Sequence, residues 1–494
     1  MSKNFLLNFY LISFLVGVYV NNLLFNINLS LIVLLFLVVL FFNFLVYYNK
    51  FKKVFVIIIL GFLSGIILSE IFLDNIKEKS SFLRPYFKQK ETIIFEIKNL
   101  EKINNDYRIY KVKLLKIWEE ISFKNIEFLA YFPLNYKLNS WEILKSKVKI
   151  YNFKNNGNFK LKDYYLAKNI YFKVYVNNFE KIGYKSPPKF LLEIKALREK
   201  LLNTIKLLYP KDEALFLWWI LLWAREELPQ ELKTNFNNSG LTHFIAVSGF
   251  NITILIVFFS LFLKYFPIFI RLLLMTFFII LFVLFVWFSI PVIRAAIMGL
   301  LAYYILMSWR KANILTIVLL TAFILILFFP YSLNYDISLH LSFLAVLGII
   351  YTQNFFNKLF WFLPDMLAIR EAFVLTLSAM TFTLPIMLFD FWQVSILSFL
   401  ANISVTWTIP IAMLLWFLSI IVYYVYNPLW WIISYFAWIF LKWDILMVNY
   451  FGTRNWALLK VNLWEYSNYL KLTYFIVLLF LIIYFYDYKK EQTI

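Results

Sequence analysis

Residues 54–73 read VFVIIILGFLSGIILSEIFL, twenty positions with a single charged side chain. That length matches the roughly 20 apolar residues an α-helix needs to cross the hydrocarbon core of a bilayer. Lys50, Lys52 and Lys53 stand just before the stretch, and the chain turns polar at Asp74 just after it. Two further apolar runs precede it, at residues 5–20 and 29–48. The first has no small-residue cleavage pattern and is followed almost at once by the second, so it reads as a retained helix and not a removed leader.

Working outward, the whole chain supports lipid as its main solvent. Of 494 residues, 62% are hydrophobic and 15% charged, whereas soluble domains are under half apolar and about a quarter charged. From residue 241 the sequence is almost continuously apolar, with spans expected near 243–263, 268–289, 292–308, 313–330, 337–352, 371–389, 403–425, 428–447 and 472–487. There is no cysteine, and His243 and His340 are the two histidines. Disulfides and a Cys/His zinc site are therefore excluded. Carboxylates are sparse in the apolar segments, so neither a metal nor another cofactor is expected.

The hydropathy breaks at residues 74–187. Between Asp74 and Lys185 there are 23 Lys plus Arg against 12 Asp plus Glu. Alternating runs at 91–100, 107–118 and 146–153 carry the period of half-buried strands, and Asn-rich turn signals at 104–106 and 155–158 separate them. A small all-β barrel or sandwich is the expected product. After Pro187-Pro188, a stripe of Phe190, Ile194, Leu197, Leu201, Ile205 and Leu208 marks an amphipathic helix. It suits either the membrane interface or packing against a bundle. The following ALFLWWILLWA, residues 214–224, is too short to span. The expected organisation is N-terminal spans at 1–73, the basic β domain at 74–187, the amphipathic and short apolar segments at 188–240, and a helical core at 241–494. The abundance of Lys, Asn, Ile and Phe suggests AT-rich coding, which inflates the formal charge of +20.

Orientation follows from cationic loops, which stay in the cytoplasm. The lysines at 50–53 put the amino terminus inside and the 74–187 domain outside. Lys264 with Arg271, Arg310 with Lys311, and Lys489 with Lys490 agree, and they place the carboxy terminus inside. The expected location is the cytoplasmic membrane, with lipids as obligatory partners.

Polar residues inside apolar segments are costly and need a reason. Four blocks concentrate them: NNSGLTHFIAVSGFNITIL (237–255), IPVIRAAIMGLL (290–301), DISLHLSFLAVLGII (336–350) and LSAMTFTLPIMLFDFWQVSILSFLANI (377–403). In this order they resemble the membrane core of the ComEC competence family. Arg294, Ala295 and Met298 match its Arg-Ala-x-x-Met run. Leu341 to Ala345 match its Leu-Ser-Phe-Leu-Ala run, and Leu384-Pro385 with Ala401-Asn402 match the fourth block. NGNFKLKDYYLAKNI (156–170) is similar to the segment that closes the family's outer OB-like domain.

The resemblance implies a polytopic α-helical membrane protein with an inserted OB-like extracytoplasmic domain, acting as a channel for single-stranded DNA during transformation. It also implies an extracellular DNA receptor and a cytoplasmic DNA motor, since no Walker-type P-loop occurs in this chain. The family's frequent carboxy-terminal metallo-β-lactamase-like domain does not follow the last span, which implies a separate nuclease. Asn251 stands where the family usually has a second histidine.

The residues themselves admit more than one role. His243 and Ser248 would sit about 140° apart on a helix, with no carboxylate nearby to orient the imidazole, which disfavours a nucleophile–base pair. Ser248 and Asn251 lie about 60° apart, on one face, and suit either a polar path or helix–helix hydrogen bonding. Arg294, just after Pro291, suits a phosphate site at a helix start or a guanidinium reaching for water. His340, Ser342 and Asn402 complete the set of path candidates. In the outer domain Tyr107, Arg108, Tyr110, Lys111, Trp118, Phe153 and Tyr164 are candidates for single-strand contact, which combines cationic tracks with aromatic stacking. The chain reads as a transporter and not as an enzyme. The rival is a membrane-embedded enzyme using His243 and His340 on lipid-linked or cell-envelope substrates.

Overall fold

The structure, a computed structural model, describes residues 3–24, 52–104, 106–117, 120–121, 125–155, 160–222, 229–242, 249–286, 290–307, 313–362, 369–391, 393–425, 430–454, 457–460 and 473–474. The expected span at 29–48, most of that at 472–487, and the candidates Trp118, His243 and Ser248 lie outside the described residues. Among the described residues seven helices are long and apolar enough to cross a membrane, including Phe5–Leu23, Val56–Tyr86, Ile268–Phe285 and Trp430–Gly452. Asn251–Leu263, Pro291–Met307 and Ile314–Phe328 are shorter apolar helices. The chain is a multi-pass α-helical membrane protein carrying an inserted β domain. It divides into two compact units, Met1–Leu191 with Val318–Leu339, and Leu192–Ile317 with His340–Ile494.

In the first unit, helices Lys3–Leu24 and Lys52–Leu83 run side by side in the same direction. Tyr10 pairs with Ser64, and Ser69 donates to Asn22 Oδ1 at 2.7 Å. Their close approach depends on Gly61 and Gly65, since a Cβ at either would strike the Tyr10 or Phe14 carbonyl oxygen. This is the small-xxx-small packing available to helices in lipid, where apolar side chains alone give little association. The second helix continues ten residues past the expected edge at residue 73. Leu73, Ile76 and Leu83 recur on one face and are buried with the barrel's core, so its polar-looking end remains helical.

Seven strands follow: β1 (Lys90–Ile103), β2 (Tyr107–Ile117), β3 (Glu120–Ile121), β4 (Glu127–Pro133), β5 (Glu142–Tyr151), β6 (Ile170–Tyr175) and β7 (Glu180–Tyr184). Pairing runs β1-β2-β4-β6-β5, and β1 also pairs with β5, so five strands close on themselves. All of these pairs are antiparallel except β4 with β6. Closure removes sheet edges, as in the OB-like barrel. The core is aromatic and aliphatic: Phe95, Phe128, Phe132 and Phe172 are fully buried, with Phe128 and Phe172 stacked at 4.3 Å. The expected strands at 91–100, 107–118 and 146–153 are β1, β2 and β5. The parallel strands β4 and β6 have almost continuous burial instead of alternation, which is why a period-2 reading passes over them.

In the second unit the short apolar segment forms helix Lys211–Leu222. Phe216, Leu217 and Ile220 are buried in one cluster with Ile409, Ala412, Ala437 and Leu441 from helices Thr408–Val425 and Trp430–Gly452. The segment is core and not a span. The amphipathic helix Lys189–Leu208 buries Leu202 and Ile205 towards its end but exposes Phe190 and Leu197 near its start. The span expected at 403–425 is two helices, Ser398–Thr406 and Thr408–Val425.

Candidate functional site

Strand β5 gives the barrel a cationic row. Leu144, Ser146, Val148 and Ile150 point inward, while Lys145, Lys147, Lys149 and Tyr151 alternate outward into solvent. Successive outward side chains lie about 7 Å apart, two residue rises along a strand. Strand β6 continues the pattern, with Phe172 and Val174 inside and Lys173 and Tyr175 towards the outside. Register places Tyr151 opposite Lys173, and Tyr131 of β4 opposite Tyr175.

The rings gather into one patch. Tyr175 lies 4.8 Å from Tyr131, 5.6 Å from Tyr107 and 5.8 Å from Tyr151. Lys173 Nζ sits 5.7 Å from the Tyr175 centroid and 5.9 Å from that of Tyr131, and Lys149 Nζ lies 5.8 Å from Tyr151. Tyr175 and Tyr151 are each 37% exposed. Burial pushes the Tyr131 phenol above its ordinary value, and neighbouring Tyr175 adds to the effect. The Tyr131 hydroxyl therefore stays neutral at neutral pH beside Lys173. Such a surface offers ring faces to bases and cations to phosphates.

Of the outer-domain candidates, Tyr107 lies on this patch. Arg108 is occupied at the strand end, its Nε donating to Leu134 O at 3.0 Å. Lys111 pairs with Glu127 at 2.7 Å. Tyr110 requires correction: it is 2% exposed within the barrel core, and its hydroxyl accepts a bond from Leu138 N at 3.0 Å. Phe153 is likewise core, 4% exposed and stacked on Tyr165 at 4.2 Å. Tyr110 follows from strand phase, which turns its ring inward; Phe153 lies past the end of β5 and is buried in a separate cluster with Ile109, Leu129 and Ile170, against Tyr165 of helix Leu161–Ala167. Tyr164 belongs to the short helix Leu161–Ala167, with Lys168 Nζ 4.3 Å above its ring. Sequence reasoning passed over Tyr131, Tyr151, Tyr175, Lys149 and Lys173. The available signal was the doubled Lys-x-Tyr at 149–151 and 173–175, two same-face pairs at strand spacing.

In the second unit the motif blocks pack on one another. Block one meets block four at Gly240, whose φ of +75° is left-handed. A Cβ there would approach Ser398 Cβ to 2.5 Å. Ser395 Oγ donates to Asn238 O at 2.7 Å and fixes the same turn. Block one meets block two along helices Gly249–Leu263 and Ile290–Met307, where Gly299 makes room for Ile256. Blocks three and four touch where Gly348 lies against the Ser378 carbonyl.

Asn251 is 2% exposed and donates from Nδ2 to Ile220 O at 2.8 Å. That carbonyl lies near the end of the described helix Lys211–Leu222. The bond ties helix Gly249–Leu263 to helix Lys211–Leu222, the helix–helix hydrogen bonding that sequence had left open. Asn402 Nδ2 similarly donates to Thr376 Oγ1, and its Oδ1 accepts from Thr406 at 3.1 Å. Arg294 is 4% exposed, held inside protein and not reaching for water from an interface. His340 and Ser342 are half-buried on helix Ile337–Leu359. Asp444 was passed over: it is fully buried in helix Trp430–Gly452 and accepts a bond from Thr408 Oγ1. Its sequence signal was a carboxylate inside an apolar span.

A family model described as Competence protein matches residues 220–487, more than half of the chain. The chain is also similar to ComE operon protein 3 of Bacillus subtilis (strain 168), with 26% identity over 251 residues. The match covers 49% of this chain and 30% of that protein, so it spans less than a third of the relative's length. No solved structure matches the chain.

Proposed function

Because this chain belongs to the competence protein family, we propose that it acts in DNA uptake, passing single-stranded DNA across the cytoplasmic membrane. The observation that carries this reading is the lysine row of β5 beside the tyrosine patch of β2, β4, β5 and β6. A strand bears one charge per nucleotide, and hydrocarbon excludes it. The barrel faces outward and collects the strand; the 241–494 bundle carries it inward. Lys145, Lys147 and Lys149 contact phosphate, while Tyr107, Tyr151 and Tyr175 stack on bases. Arg294 and the polar residues of the four blocks belong to the inner path. The role is transport and not catalysis. A DNA receptor outside and a motor inside are its partners in this reading.

The test uses the full chain in lipid nanodiscs, titrated with fluorescent oligonucleotides at several salt concentrations. Binding should be indifferent to sequence and fall with salt by a log–log slope of about −0.7 per phosphate neutralised. Absence of binding at low salt would remove the barrel from the DNA path.

A further inference from the structure

A second basic feature of the first unit lies away from the tyrosine patch. A cavity of about 380 Å³ opens between the end of helix Lys52–Leu83 and the barrel, lined by Lys79, Lys98 and Lys113 with Asn75, Asn125 and Asn169. Its size falls within the range of small-ligand sites. Glu127 also lines it, but that carboxylate is paired with Lys111 at 2.7 Å. Lys98 lies 3.4 Å from buried Glu96, which Lys185 also approaches at 3.5 Å. Among the described residues neither Lys79 nor Lys113 makes an ion pair, so the cavity keeps excess positive charge. Asn125 and Asn169 both have left-handed backbones, with φ of 68° and 60°. They stand just before β4 and β6, the parallel pair, so two constrained turns bring amide groups to the same opening.

The depth of the cavity identifies its occupant. Leu60, Ile67 and Ile71 are exposed apolar residues on the helix; Glu70, the one charge inside the span, is bonded to Asn21 at 3.0 Å, and charges become frequent from Asp74, so hydrocarbon ends near Leu73. At 1.5 Å per residue, Asn75 lies about 3 Å and Lys79 about 9 Å beyond that edge. The polar layer of a bilayer is about 5–8 Å thick on each side. The lining groups therefore span the headgroup layer, while Phe72 and Ile76 supply an apolar floor on the hydrocarbon side. We propose that this cavity binds the phosphate of an anionic lipid headgroup, with Lys79 and Lys113 as its main cations and the three asparagines as donors. The bound lipid would fix the barrel's height over the membrane.

The full chain, purified in mild detergent, would be incubated with equimolar phosphatidylglycerol and phosphatidylcholine, and its bound lipids counted by native mass spectrometry. The expected result is several-fold preferential retention of phosphatidylglycerol, lost in K79Q/K113Q and kept in K145Q/K149Q. Equal retention of the two lipids, or a preference unchanged in K79Q/K113Q, would overturn the proposal. Parallel samples carry inorganic phosphate or an oligonucleotide as competitor. If millimolar phosphate alone displaced the lipid, the site would belong to a soluble anion. If the oligonucleotide did so, with K79Q/K113Q losing oligonucleotide affinity, it would belong to DNA. Either result would also refute the lipid assignment. Oligonucleotide binding in K79Q/K113Q otherwise matches the parent, so a failure here is distinguishable from a failure of DNA binding.

Discussion

On the barrel, Lys145, Lys147 and Lys149 stand out into solvent from alternate positions of one strand, whereas in the helical core Asn251 and Asn402 turn their amides into neighbouring helices. The two regions answer to different solvents. Water accepts any cation, so an exposed row on a strand is free to serve a ligand. Lipid accepts no unpaired polar group, so an asparagine in a span first finds a backbone or hydroxyl partner. A polar residue in the core is thus weaker evidence of a transport path than a basic, aromatic row on the barrel.

The largest effect expected is on the barrel's inside. Tyr110→Ala empties a core site and strands Leu138 N, and should lower barrel stability by about 3–5 kcal/mol. Tyr110→Phe, which keeps the ring, should cost far less. Thermal unfolding of the pair checks this; equal stability with lost DNA binding would return Tyr110 to the contact surface.

Next comes Asn251, where the bond between two helices is at stake. Asn251→Leu should cost about 1–3 kcal/mol by leaving the Ile220 carbonyl without its donor. Asn251→His retains a donor and should keep folded protein near the parent level. Folded yield in detergent, followed beside DNA uptake, separates packing from path: a Leu variant with normal yield but no uptake would assign Asn251 to the path.

A comparable energy, seen in binding alone, is expected on the barrel's outside. Tyr175→Ala should weaken oligonucleotide binding by about 1–3 kcal/mol, roughly 5- to 150-fold, without a stability change. Lys145→Gln with Lys149→Gln should flatten the salt dependence by up to about 1.4 in log–log slope. Anisotropy titrations at several salt concentrations measure both.

The last effect is confined to alkaline pH. Burial raises Tyr165 and Tyr171 to about 12, from an ordinary 10.0. Both are neutral in either state below pH 10, so their contribution is complete there. Between pH 10 and 12 the unfolded chain loses those protons first, and stability falls with rising pH. Unfolding midpoints across that window should decline, and a flat profile would place these phenols in contact with water.

Much of the fold was legible. The run at 54–73 announced the membrane, and alternation located β1, β2 and β5. What escaped follows physical rules. Strands β4 and β6 are short and buried over most of their length, so little alternation shows, and with them went Tyr131, Tyr175 and Lys173. Helix continuation to Leu83 was masked by charges lying opposite its buried face. Gly61 and Gly65 carried a small-xxx-small spacing that would have foretold the first helix contact. For the candidate site, strand phase separates residues of one type: Tyr107 lies on the patch, while Tyr110, three positions on, points inward. In the core, Asn251 and Arg294 were singled out as polar, but spacing along one helix cannot say which neighbour a side chain meets.

The most direct measurement follows labelled DNA in cells that carry or lack this chain. The account expects labelled single strand to become resistant to external nuclease only when the chain is present. It further expects the Tyr175→Ala, Lys145→Gln, Lys149→Gln combination to reduce that protected fraction at normal protein level. Equal protection with and without the chain would contradict it.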